Sequence, residues 1–256
     1  MGPIDELLAD VAQGKRVKYL PFWGHRPRPD GRLGASCLSQ WWPSPFTVDG
    51  VAYGSAEHWM MAGKARLFGD AEAEQAAVSA ASPAAAKKAG RLVRGFDEDV
   101  WIRERFALVV EGSVHKFGQD PELAGFLLGT GDRVLVEASP LDRIWGIGLA
   151  ADDERVERPR EWRGLNLLGF ALMAARERLR VARGVPGALV PGVRGCPTPP
   201  DTRVRQRRPV RRGRVPRRTG RRMPYAPDAV RGGGQSVSGE SGPGPRRRTL
   251  PSRGPR

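Results

Sequence analysis

Residues 38–70 read LSQWWPSPFTVDGVAYGSAEHWMMAGKARLFGD. Within them Val48-Asp49-Gly50-Val51 sets an Asp-Gly turn between two β-branched residues, which predicts a tight hairpin. From Ser55 to Leu67 there is no proline, and most residues favour helix; Gly69 then supplies a stop. Trp41, Trp42, Phe46, Tyr53 and Trp59 crowd this unit, although only 7% of the chain is aromatic. On the helix Glu57 and Lys64 stand seven residues apart, two turns or ~10 Å along one face, with Met61 between them. A carboxylate and an amine so placed can mark the two ends of a small pocket. A solvated helix face carries the same pattern.

Charge divides the chain. The formal net charge is +15, and residues 184–256 hold 18 arginines, no lysine and only Asp201, Asp228 and Glu240 as acids, which is the whole excess. Residues 1–183 are therefore neutral. Rich in proline, glycine and serine and poor in long apolar side chains, residues 184–256 cannot bury enough surface to order themselves, so a disordered basic tail is expected there. One domain, residues 5–183, precedes it. Such a tail is expected to bind nucleic acid through charge, with strong salt dependence. A solubilising extension, or translation out of the natural frame in GC-rich DNA, fits the same composition.

Cys37 and Cys196 are the only cysteines, one in each part, so no disulfide framework is expected and a reducing cytoplasmic setting fits. No apolar run approaches eighteen residues, so no membrane span is expected. His25, His58 and His115 are far apart, and no HExxH or CxxC occurs, so neither a metal nor another cofactor is expected.

Helices fill most of the remaining body. Residues 70–80 are alanine- and glutamate-rich, and Ser82-Pro83 starts a further helix. A longer one is expected over 98–117, where Trp101, Ile102, Arg105, Phe106, Val109, Val110 and Phe117 recur at helical spacing as its core face. Asp120-Pro121 caps the next. Residues 133–137, RVLVE, then read as a strand that opens into the loop ASPLDRIWGIGL, where Asp142 is a second candidate carboxylate or an Asx-turn residue. Gly146 to Ala151 fits G-x-G-x-x-A, but no strand leads straight into it and Asp152-Asp153-Glu154 follows where phosphate would bind, so it is not a dinucleotide fingerprint. A closing helix follows Trp162-Arg163-Gly164, with Leu168, Leu172 and Ala175 as its core; Asn166 caps it or reaches the pocket. The pattern as a whole is α+β, helix-dominated, with a few short strands.

The strings FWGH (22–25), LSQWWPSPFTVDGVAY (38–53), AEHWMMAGKARLFGD (56–70), KFGQDPEL (116–123), LVEASPLDRIWGIGL (135–149) and WRGLNLLGFALMAARERL (162–179) keep an order and spacing that resembles the NADAR, or YbiA-like, domain family. The resemblance runs from Tyr19 to Leu179 and leaves the tail outside. It implies a YbiA-like fold and an N-glycosidase acting on ribose attached to an amine. Members of that family hydrolyse phosphoribosylamino-pyrimidine intermediates of riboflavin biosynthesis, releasing ribose 5-phosphate, and others remove ADP-ribose from guanine in DNA. Glu57, Lys64, Asp142 and Trp145 fall on the family's active-site motifs, whereas Met60 and Met61 replace its more usual aromatic and glutamine.

These residue types suit the chemistry. Cleaving a C1–N bond asks for a protonated leaving amine, a stabilised positive charge at C1 and a delivered water, so carboxylates such as Glu57 and Asp142 are the expected tools. Lys64 would form a Schiff base with the opened ribose if burial lowers its pKa. Trp42 or Trp145 would stack on the base, and Arg66 or Arg143 would hold phosphate. The expected partner is thus a phosphoribosyl or ADP-ribosyl small molecule. The alternative is a module that binds ADP-ribose or a related nucleotide without turning it over.

Overall fold

The computed structural model describes residues 2–184, an α+β arrangement with seven α-helices and four short strands among those residues. The expected basic tail, and the nucleic-acid binding expected of it, lie outside the described residues. α1 (Pro3–Ala12) leads into β1 (Tyr19–Phe22) and then a 3-10 turn, Ala35–Leu38. The hairpin follows as β2 (Phe46–Val48) and β3 (Val51–Tyr53). Asp49 (φ 49°) and Gly50 (φ 80°) both take left-handed backbone, as a two-residue type I′ turn demands, and this sets Phe46 opposite Tyr53.

Four helices continue the chain: α2 (Ala56–Leu67), α3 (Ala71–Val78), α4 (Pro83–Arg91) and the long α5 (Glu98–Gln119). Asp70, Ser82 and Asp97 each accept a backbone N–H in the first turn of the helix they precede, which answers otherwise unpaired amides. Ser55 does not cap α2. Its hydroxyl lies 2.8 Å from His58 Nδ1, and His58 Nε2 lies 3.0 Å from the Ala80 carbonyl; an Nε2–H donating to that carbonyl leaves Nδ1 to accept from Ser55.

α2 is the centre of the helical layer, and nine of its twelve residues are buried. Close crossings make room for it. A Cβ at Gly90 of α4 would stand 2.1 Å from Met61 Sδ, and one at Gly112 of α5 would stand 2.3 Å from Trp59 Cδ1, so the small residues let α2 nest against both helices. Trp59 Nε1 donates to the Leu108 carbonyl at 2.9 Å. Val109, Val110 and Phe117 are buried as expected, but Ile102 is 46% exposed. The first turns of α5 turn the neighbouring Trp101 to the core and under Lys64 of α2, which leaves Ile102 toward solvent.

α6 (Pro121–Gly129), β4 (Val134–Glu137) and α7 (Leu167–Ala182) complete the fold. β4 pairs with β1 in parallel, Tyr19 with Val134 and Phe22 with Glu137. Leu168, Leu172 and Ala175 of α7 are buried as expected. Gly169 lets the start of α7 press on the strand: a Cβ there would meet the Leu135 carbonyl at 2.1 Å. Among the described residues no helix is long and apolar enough to cross a membrane.

Candidate active site

Glu57 sits in the first turn of α2 and is only 2% exposed. Its backbone N–H donates to the Gln40 carbonyl at 3.0 Å, which ties the helix start to the Trp41–Trp42 segment. Its Oε1 is enclosed and has no hydrogen-bond partner. Burial pushes its pKa up to about 7; Lys87, the Trp41 indole N–H and Arg91 act against that rise, and the negative charge of Asp142 adds to it. The Lys87 ammonium lies 5.8 Å from the centre of the Trp41 ring, within cation–π range, and the His25 ring packs 5.5 Å from the same indole. Beneath this segment the fully buried Lys116 donates to the carbonyls of Cys37 (2.6 Å) and Ser39 (2.8 Å) and so fixes the turn that carries Trp41.

A second carboxylate faces the same charge. Glu137 ends β4, and its Oε2 is likewise enclosed and unpartnered. Burial first, then Asp142, pushes its pKa up to about 8. Asp142 therefore stands electrostatically between Glu57 and Glu137. Its own Oδ1 accepts the backbone N–H groups of Ile144 and Trp145, both at 2.8 Å, so it also closes the Asx turn that shapes its loop. Asn166, fully buried and left-handed (φ 53°), places no side-chain cap on α7. Instead Asn166 Oδ1 accepts the Glu137 N–H and Nδ2 donates to the Leu135 carbonyl, each at 2.9 Å. Both halves of its amide are engaged on β4.

Of the remaining expected residues, Arg143 and Trp145 share the Asp142 loop and Trp42 follows Trp41, while Lys64 and Arg66 lie further along α2. The Lys64 ammonium rests 4.1 Å from the centre of the Phe96 ring and 5.6 Å from that of Trp101, and burial holds its pKa below the ordinary value. Arg66 is committed elsewhere: it donates to Glu74 at 2.6 Å and to the Tyr53 hydroxyl at 3.1 Å. Trp42 and Trp145 are half-buried and pack on the core, and Arg143 is exposed on the Asp142 loop. Three charged groups at the site are not evident from sequence. Glu137 looks like the end of a strand, while Lys87 and Arg91 look like solvated residues of α4; only the polar strand-end position of Glu137 gave a signal.

The family model of the NADAR domain matches residues 21–180. The chain belongs to the NADAR domain family. An N-glycosidase of Acanthamoeba polyphaga mimivirus is 41% identical over 165 residues, which covers 62% of this chain and 95% of that protein. A riboflavin biosynthesis protein of Vibrio vulnificus is 31% identical over 143 residues, 56% of this chain and 35% of that longer protein. Among solved structures, the E. coli protein YbiA superposes with a TM-score of 0.52 at 24% identity, over 68% of this chain and 92% of YbiA, and shares the fold. The matched NADAR segment contains Glu57, Lys87, Glu137 and Asp142.

Proposed function

We propose that the side chains gathered from the first turn of α2, the end of β4 and the Asp142 loop hydrolyse the bond from ribose C1 to an amine nitrogen. The enzyme class is N-glycosidase, the name carried by the mimiviral relative matched over nearly its whole length. One observation carries the assignment of residues: Glu57 and Glu137 each have an enclosed, unpartnered carboxylate oxygen, and the negative charge of Asp142 acts on both.

Their surroundings divide the labour. Lys87 and Arg91 favour the ionised form of Glu57, whereas Asp142 opposes ionisation of Glu137. Glu137 is therefore the acid and Glu57 the base. Glu137 gives its proton to the leaving nitrogen as the C1–N bond breaks. Glu57 takes a proton from the water that attacks C1, and the Asp142 carboxylate stabilises the positive charge that develops there. The products are the free amine and the ribose hydroxyl; solvent then returns a proton to Glu137 and removes one from Glu57.

For substrate, a phosphoribosylamino-pyrimidine of riboflavin biosynthesis fits best. The Vibrio relative carries that pathway in its name, and Lys87 and Arg91 offer positive charge beside Glu57 for the phosphate of ribose 5-phosphate. Trp41 offers a face for the base. ADP-ribosyl-guanine in DNA presents the same C1–N bond with a larger phosphate group. Incubating the full chain with each substrate and assaying the released sugar phosphate decides between them. Turnover of the pyrimidine is expected, and turnover of the DNA alone would reverse the choice.

A further inference from the structure

At the end of the β1–β4 sheet away from Glu137 lies a cavity of about 740 Å³. Val17 and Lys18 lead into β1, Arg133 and Val134 lead into β4, and the parallel register sets Tyr19 against Val134 at this end. Glu137 lies three residues further along the strand, about 10 Å away. Leu7 of α1 and Phe170 and Met173 of α7 give the cavity an apolar wall.

The charge of the lining is one-sided. Its two acids are already matched, Asp10 by Lys15 and Asp132 by Arg180 at 3.0 Å. Arg16, Lys18, Arg133 and Arg176 have no carboxylate within ion-pair distance among the described residues. Arg176 is the most demanding of them, because it is fully buried. Its Nη1 donates to Thr130 Oγ1 at 2.7 Å and to the Arg133 carbonyl at 3.0 Å, which secures the turn into β4. Its Nε and Nη2 bond nothing. Burial lowers its pKa to about 10, so it remains charged at neutral pH. Asp132 and Glu177 act on it only from beyond ion-pair distance; an enclosed cation with two idle nitrogens is costly, and securing the turn uses only Nη1.

We propose that this cavity is an anion site, separate from the catalytic pocket, for a phosphate monoester with an apolar or aromatic body. The phosphate sits against the Arg176 guanidinium, with Arg133 beside it and Arg16 and Lys18 at the mouth. A planar fork facing a dianion gives the paired, charge-assisted hydrogen bonds that the idle nitrogens lack. The body lies on Leu7, Phe170 and Met173. The volume is in the range of small-molecule sites.

The test uses the full chain, with AMP and inorganic phosphate as probes. Binding is followed by titration calorimetry and by the 15N-detected Nε–H signal of Arg176. AMP is expected to shift that signal, whether or not it also enters the catalytic site, and the binding that the shift reports is expected to be at least tenfold tighter than that of inorganic phosphate. Arg176→Gln should weaken AMP at least tenfold. Arg16→Glu and Lys18→Glu, both changes at exposed side chains, should each weaken it several-fold, while Glu57→Gln leaves it unchanged. If Arg176→Gln does not fold, the signal and the two mouth variants decide. An Arg176 signal unmoved at saturating AMP, mouth variants that bind like the parent, or phosphate binding as tightly as AMP would each overturn the proposal.

Discussion

Asn166 grips Glu137 from the start of α7: its side-chain oxygen accepts the Glu137 N–H at 2.9 Å while its NH2 group donates to Leu135 two residues back, also at 2.9 Å. This pair sets where the proposed acid stands. Asn166→Asp keeps the shape but turns the donor facing Leu135 into an oxygen. Unfolding in urea should register a loss on the order of 2 kcal/mol, and kcat should fall while KM changes little. An unchanged kcat in a destabilised variant would leave Asn166 with a purely structural part.

The pH profile follows from the two carboxylates. Glu57 must be ionised and Glu137 protonated, and their pKa values are pushed up to about 7 and about 8. The pH dependence of kcat/KM should be bell-shaped, with its maximum between those values and about a tenfold fall per unit well outside them. A flat profile from pH 6 to 9 would contradict the assignment.

The same burial acts on stability. Glu57 has an ordinary pKa of 4.5 and a folded pKa of about 7, so between those values the unfolded chain releases a proton that the folded chain keeps. Stability is therefore highest below pH 4.5 from this group and is lost as pH rises through the window. Glu57→Gln should remove that slope and be more stable than the parent at pH 8, by up to about 3 kcal/mol. Urea titrations at pH 5 and pH 8 read the difference directly; equal gaps at both values would mean the carboxyl is not so placed.

Two lysines separate the sequence reading from the site geometry. Lys64 rests on Phe96 and Trp101, whereas Lys87 acts on Glu57 and lies over Trp41. Lys87→Met should lower kcat/KM at least roughly a hundredfold, as expected for a group that touches substrate or sets a catalytic charge. Lys64→Met should stay within about a few-fold of the parent. Burial does lower the Lys64 pKa, as a Schiff-base role requires, and borohydride trapping checks that role directly: an adduct lost only in Lys64→Met would make Lys64 the reacting amine.

Much of this architecture is legible in local chemistry. The Asp49-Gly50 turn, the α2 helix, the caps at Ser82 and Asp120, and the short β4 all follow from residue preferences within a few positions. Charged side chains are harder, since their partners come from elsewhere in the chain. Arg66 reads as a phosphate fork until Glu74 and Tyr53 are seen to hold it. Glu137 reads as a strand terminus until β1, more than a hundred residues earlier, pairs with β4 and α7 closes over it. Lys87, in a Lys-Lys pair on a short helix, carries no local mark at all.

The most direct test is the release of ribose 5-phosphate from a phosphoribosylamino-pyrimidine by the full chain and by Glu137→Gln, with folding checked by thermal denaturation. The parent should turn over, and Glu137→Gln should lose roughly a hundredfold or more in kcat. A folded Glu137→Gln that releases ribose 5-phosphate at the parent rate would contradict the division of labour between Glu57 and Glu137.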